Sequence, residues 1–334
     1  MIGYYIHHQG RGHLNRAISI SAHIRSPVTA LTSLELPGQH PFAHSVSLAR
    51  DDAAETVAEP TANGALHWAP HHDTGFGERM QAIARWVAEA RPAAVVVDVS
   101  AEVAMFVRLL GVPVIVMAQP GKRVDQPHLF VHRMADHIIA PWPRELCIPP
   151  WLRSYDSKTT YVGGISRFDG RERAGRVLSP GSAPTVLILG GTGGSAIDVD
   201  TVTALAAGQP SYTWTSLGVP GGPWAADPWP QICAADVVVG HAGQGCVADI
   251  ATAERPAVII PQDRPFAEQQ MTARVLRQHQ VAVVARRWPD PRAWPGLIAH
   301  ALASDPARWR RWQTHGAAAR AATAIEDTAR RCEP

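Results

Sequence analysis

Four cysteines, Cys147, Cys233, Cys246 and Cys332, serve a chain of 334 residues, and no two of them form a C-x-x-C pair. That scarcity excludes a disulfide framework and a zinc knuckle and fits reduced thiols, so a cytoplasmic setting is expected. Charge of one sign is equally scarce. A formal net charge of +2 is far from the basic excess that neutralises many phosphates, which excludes a nucleic-acid partner and leaves a small anion open. No apolar run reaches the roughly 18 residues of a membrane span. The stretch from Met1 to Ile6 enters His7, His8 and a glycine turn without the basic start or long apolar run of a leader, so none is expected. Lysine stands only at Lys122 and Lys158 beside plentiful alanine, arginine, proline and tryptophan, a bias that decides nothing about mechanism. The histidine pairs His7/His8 and His71/His72 are adjacent, without the i, i+4 spacing that sets two ligands on one helix face, so no metal is expected.

A length of 334 residues with 46% hydrophobic residues suits two domains of ordinary size. In the first half, IGYYI, VTALTSL, AAVVVDV and VPVIVM alternate with helical stretches around Leu14–His23, Arg79–Glu89 and Glu102–Leu110. Unbroken apolar runs alternating with helices imply βαβ units and parallel strands buried on both faces. The glycine- and charge-rich segment from Tyr161 to Pro184 reads as a linker. Beyond it the alternation restarts with TVLILGG, SYTWTSL, ADVVVG, PAVIIP and VAVVA, with a helix near Glu268–Gln278. The expected fold is α/β, two Rossmann-like domains with parallel sheets and a cleft between them. The domains are placed at 1–162 and 184–305, with a linker at 163–183 and a C-terminal helical stretch at 306–334 that is free to return to the N-terminal domain. In that stretch Trp309 and Trp312 stand three apart among arginines, which fits either a closing helix or contact with an anionic membrane surface.

Three segments follow a strand and open a helix, where backbone N–H groups and the helix dipole favour an anion. In HHQGRGHLNRA, Gly10 and Gly12 let the chain turn tightly and set His13 at the rim of the sheet, as a ligand contact or as a helix-capping surface histidine. In LILGGTGGS, Gly191, Thr192, Gly193, Gly194 and Ser195 form a nest suited to phosphate or a plain tight turn; the order is neither a P-loop nor a clean G-x-G-x-x-G. The third runs from Ala235 to Leu276. It carries His241, Gly243, Gln244 and Gly245 at a helix start, Asp249 one turn further, then Glu268 and Gln269 after the next strand. Anion donors, a carboxylate and an acid–amide pair would suit a pyrophosphate, a ribose diol and sugar hydroxyls in that order, although Asp249 and Glu268 also read as solvated helix acids.

The third segment resembles the donor signature of GT-B glycosyltransferases, both the UDP-glycosyltransferase group and the N-acetylglucosaminyltransferase that makes lipid II. The resemblance implies that Gly240–Cys246 contacts the diphosphate, with His241 at the histidine of an H-x-G element, and that Asp249 stands where the family's glutamate grips the ribose. It also implies that Glu268, Gln269, Thr272 and Ala273 match the D/E-Q-x-x-N-A element on the donor sugar. Aspartate at Asp249 and threonine at Thr272 depart from that pattern. The likeness extends to G-x-G-H-x-x-R-A at Gly10–Ala17 and to VGGISR at Val162–Arg167, nearly the whole chain. It implies a metal-independent hexosyltransferase without a cofactor, which uses a nucleotide-sugar donor, UDP first, and a small-molecule or lipid-linked acceptor. The motifs do not separate uridine from thymidine or guanosine, and the loops Pro70–Gly77 and Gln119–His128 match nothing interpretable.

An acceptor hydroxyl needs a base near neutral pH, and His13 is the candidate. Asp98 ends the strand AAVVVD and either orients the imidazole or caps the helix near Glu102. A His–Asp pair of this kind in the family implies inversion at the anomeric carbon. Rival readings are a nucleotide-sugar epimerase of the same fold, an NAD(P)-dependent oxidoreductase read from GGTGGS, and a sugar-nucleotide sensor without catalysis. The joint presence of His13, Asp98, His241 and Glu268 speaks against the last.

Overall fold

The computed structural model describes residues 1–53, 56–173, 182–191, 194 and 197–333. Seven parallel strands form the first sheet: β1 (Ile2–Ile6), β2 (Val28–Thr32), β3 (His44–Ser47), β4 (Ala94–Asp98), β5 (Val114–Met117), β6 (His137–Ala140) and β7 (Thr159–Tyr161). They lie in the order β3-β2-β1-β4-β5-β6-β7. Parallel neighbours need crossovers, and helices α1 (Arg11–Ser21), α2 (Thr74–Ala90), α3 (Ala101–Leu109) and α4 (Gln126–Met134) supply them. Residues alternate across the pleat: Ile2, Tyr4 and Ile6 pack with α1 on one face, and Tyr5 packs with Ile83 and Trp86 of α2 on the other. Both faces are therefore apolar, which is why these strands read as unbroken runs.

The second sheet has five strands, β8 (Thr185–Leu189), β9 (Thr213–Leu217), β10 (Val237–Gly240), β11 (Ala257–Ile259) and β12 (Val283–Val284), in the order β12-β11-β10-β8-β9. Helices α5 (Val199–Gly208), α6 (Trp229–Ala234), α7 (Gln244–Ala253), α8 (Glu268–Gln278) and α9 (Trp294–Leu302) cover it. The last helix, α10 (Ala317–Arg331), leaves this sheet and packs on α1 and β4 of the first.

The tail is not one helix. A 3-10 segment, Pro306–Trp312, ends at Gln313 with φ of 54°, and Gly316 at φ 69° starts α10 on a new axis. Trp309 and Trp312 are buried against α7 and the 162–168 segment, with Trp309 Nε1 donating to Arg255 O at 2.8 Å. They are core side chains, so a membrane contact through them is corrected. Among the described residues no helix is long and apolar enough to cross a membrane.

Candidate active site

In an open parallel sheet, ligands bind at the carboxyl ends of the strands where the strand order reverses. That point lies between β1 and β4 in the first sheet and between β8 and β10 in the second. Ile6 is the register partner of Asp98, so the turn after β1 and the end of β4 share one level. Gly10 takes φ of 84°, open to glycine and costly to other residues, and starts α1 with no side-chain cap. One turn on, His13 Nδ1 lies 2.9 Å from Asp98 Oδ1. A carboxylate only accepts, which favours a proton on Nδ1, whereas Arg16 Nη2, 3.1 Å from the same nitrogen, only donates and favours its lone pair, so the two contacts compete for the tautomer. Burial alone would raise the Asp98 carboxyl, but the Arg16 guanidinium and the His13 ring hold it well below the usual range. Arg16 forks onto it, Nε to Oδ2 at 2.8 Å and Nη2 to Oδ1 at 2.5 Å. Asp98 does not cap α3; Ser100 does, accepting from Val103 N. Between them Val99 has φ of 63°, an uncommon conformation for a β-branched residue that bends the chain along the cavity wall.

A cavity of about 830 Å³ opens beside His13, with walls from both halves. The first half contributes Gln119 and Arg123 from the loop before α4, His128 from the first turn of α4, and Phe76 from the start of α2. Those segments had no legible role in the sequence. The second half contributes Glu268 and Gln269. Glu268 pairs with Arg123 across the seam at 3.3 Å. Gln269 is 6% exposed, and its Oε1 accepts from Ala242 N at 3.1 Å and Gln262 N at 3.0 Å. It braces the ends of β10 and β11 against each other, leaving its amide nitrogen as the group to turn to a ligand.

Behind Gln269, Gly243 precedes α7 with no side-chain cap, so the first-turn N–H groups beginning at Gln244 and Gly245 present an anion-competent helix end. His241 Nδ1 donates to Ile260 O at 3.0 Å, and burial lowers its basicity. Gly191 and Gly194 stand beyond β8; Thr192, Gly193 and Ser195 of the same turn lie outside the described residues. Asp249 does not face the large cavity. It is 8% exposed, Ser166 Oγ donates to its Oδ1 at 2.7 Å, and Arg167 Nε lies 3.3 Å from its Oδ2. Both oxygens are held by the segment that joins the halves.

Two groups of imidazoles and carboxylates lie close enough to bracket a cation, His67/Asp125/His128 and His8/Asp51/Asp52. Hydrogen bonds account for the first without one; in the second, the buried His8 ring makes no hydrogen bond among the described residues, with Nε2 3.2 Å from Asp52 Oδ2. Arg123 Nη1 donates to His128 Nε2 at 3.2 Å, so His128 Nδ1 carries the proton that meets Asp125 Oδ1 at 2.6 Å, and a protonated nitrogen is no ligand. Burial, then the Arg123 charge, pushes His128 down to about 4. Asp51 and Asp52 are engaged by Arg79 and Arg50 at 2.8 and 2.7 Å.

Arg16, Arg123 and the His67–Asp125–His128 group escaped the reading of candidate sites. Only Arg16 left a signal, three residues after His13 on the same helix face.

Residues 226–287 match the glycosyltransferase family 28 C-terminal domain. No curated protein sequence matches the chain. Among solved structures, the glycosyltransferase of kitacinnamycin is similar over 98% of each chain at 16% identity and a TM-score of 0.68. MurG of Acinetobacter baumannii is similar over 98% of this chain and 99% of its own, at 15% identity and a TM-score of 0.63. UGT2 of Phytolacca americana, solved with UDP-2-fluoroglucose and pterostilbene, is similar over 99% and 98%, at 14% identity and a TM-score of 0.65. The fold is GT-B, and the matched segment within its second half is similar to a glycosyltransferase domain.

Proposed function

We propose that the chain, a glycosyltransferase of the GT-B fold, moves a hexose or N-acetylhexosamine from a nucleoside-diphosphate sugar to an acceptor hydroxyl in the cavity, with inversion. The observation that carries this reading is the His13–Asp98 pair, 2.9 Å apart at the switch point of the first sheet and open to a cavity walled by both halves. A hydroxyl is a poor nucleophile. His13 Nε2 takes its proton as the oxygen attacks the anomeric carbon, and Asp98 stabilises the imidazolium that forms. The bond from that carbon to the diphosphate oxygen breaks on the opposite side, its electron pair leaving with the diphosphate. The uncapped start of α7 receives this anion, Gly191 and Gly194 assist, and Glu268 and Gln269 hold the sugar hydroxyls. UDP-2-fluoroglucose in the Phytolacca enzyme supports a uridine nucleotide as the first donor to try.

Calorimetric titration of the intact chain with UDP, dTDP and GDP names the donor class. His13→Ala then binds the chosen nucleotide as wild type does and loses turnover by about a thousandfold, within the usual range for a general base. A chain that binds none of the three, or a His13→Ala variant that still transfers sugar at the wild-type rate, overturns the reading.

A further inference from the structure

Arg16 is 7% exposed beside the base, and each nitrogen of its guanidinium is committed. Nε and Nη2 fork onto the two oxygens of Asp98, and Nη2 also stands 3.1 Å from His13 Nδ1. Nη1 crosses the seam between the halves and donates to Gln244 Oε1 at 2.7 Å. Gln244 is the first residue of α7, the helix that receives the diphosphate in the reading above, and α1 packs directly on α7. The other end of the Gln244 amide, Nε2, is shielded from solvent and has no hydrogen-bond partner. A buried amide donor left unmade at an anion-competent helix start costs free energy until an acceptor arrives, and a diphosphate oxygen is such an acceptor.

We propose that Arg16 is a positioning residue for the transfer reaction, relaying occupancy of the α7 start through Gln244 to Asp98 and so to His13. The inference rests on the glycosyl-transfer reading and extends it to a residue that reading does not use. Asp98 is fully buried, and rotation of its carboxylate would turn the accepting oxygen away from Nδ1. A planar two-point fork prevents that rotation where a lysine ammonium, a point charge, does not. A diphosphate that accepts from Gln244 Nε2 pins Gln244 Oε1 toward Nη1, and the guanidinium plane is then fixed at three points. A small chamber of about 30 Å³ beside Arg16, lined also by Gly12, Asn15 and Gly245, has room only for water as another partner for Nη1. The base is aligned when the donor is present.

The test follows the ring nitrogens of His13 by 15N NMR on the intact chain, its signals assigned by their loss in His13→Gln, with UDP as the probe. In wild type, UDP shifts the neutral ring toward the Nδ1–H tautomer. Arg16→Lys and Gln244→Ala each abolish that response while their affinity for UDP stays within about fivefold of wild type, because one hydrogen bond is worth only ~1 kcal/mol. With UDP-glucose, kcat of Arg16→Lys falls about a hundredfold and KM changes little, the pattern of a misaligned base. Adding Gln244→Ala to Arg16→Lys costs nothing further, since the two residues act in series. A UDP-induced tautomer response that survives in Gln244→Ala sinks the proposal even if Arg16→Lys fails to fold. Additive losses in the double variant do the same. If neither UDP, dTDP nor GDP binds wild type, the functional reading falls and takes the inference with it; a normal wild type with an unaffected Arg16→Lys sinks the inference alone.

Discussion

Two buried carboxyls, Asp98 and Asp249, end on opposite sides of the ordinary value. Burial raises both; at Asp98 the Arg16 fork and the His13 ring overcome it, whereas at Asp249 the Arg167 contact at 3.3 Å and the Ser166 hydrogen bond do not, and the group rises to about 6. Between the ordinary carboxyl value of 3.8 and about 6, native Asp249 keeps a proton that the unfolded chain has released. Its contribution to stability is therefore full below the lower value and is lost as pH rises through that window, by about 3 kcal/mol for a shift of two units. Asp249→Asn carries no titrating group there, so wild type loses melting temperature relative to the variant as pH goes from 4 to 6. A constant difference between the two across that range would show that the carboxyl is not held this way. The bonds that hold Asp249 come from Ser166 and Arg167, more than eighty residues away in the chain, and no local pattern announces them. His13 and Asp98 were legible for the converse reason: each closes or follows an apolar strand, and paired parallel strands bring their ends together.

Among the elements, β1, β2, β4, β5, β8, β10 and β11 could be read from the chain because both of their faces are buried and nothing charged interrupts them before their last residue. The edge strand β3, HSVS, has no buried residue and no apolar run, and α4 hides behind Pro127 and a mixture of histidine and arginine. The contact that closes the cavity was also hidden, because it joins two loops. Lys122 N donates to Phe266 O at 2.7 Å, and the Arg123 guanidinium lies 4.4 Å above the Phe266 ring. Phe266 and Ala267 hold φ of 60° and 53° to present that carbonyl, and Gly121, at φ 107°, lets it approach. A Cβ on Gly121 would stand 2.4 Å from Phe266 O, which is backbone and has little freedom to yield. Gly121→Ala is therefore expected to cost about 2 kcal/mol or more in denaturant unfolding and to loosen the pairing of Arg123 with Glu268. Unchanged stability in that variant would mean that the two loops are not clasped in solution.

Over the whole molecule, the last thirty residues staple the halves together. Trp309 and Trp312 sit on the second half, with Trp312 O accepting from Gly164 N at 2.9 Å, while α10 covers the first sheet. Ala318, Ala321, Ala322 and Ile325 of α10 belong to the same apolar layer as Ile2, Tyr4, Ile6 and Val96, and Arg320 Nη2 donates to Val162 O at 2.6 Å. Composition showed a helix here; which sheet it serves depends on the turn made by Gln313 and Gly316, one of them a non-glycine residue with positive φ. A chain ended after Gln313 keeps both tryptophans and loses this layer. Each uncovered methyl-sized group forfeits about 0.8 kcal/mol of burial, so the first half should melt ~10 °C or more below wild type as a separate early transition. The second half keeps α7 and its packing against Trp309, so the truncated chain should still bind the nucleoside diphosphate chosen by titration, with turnover lost because His13 and Asp98 ride on the destabilised sheet. Thermal scanning by calorimetry with and without that nucleotide separates the two events. A single unshifted transition would show that α10 is not part of the first layer, and loss of nucleotide binding with the early transition would place the donor on the first half.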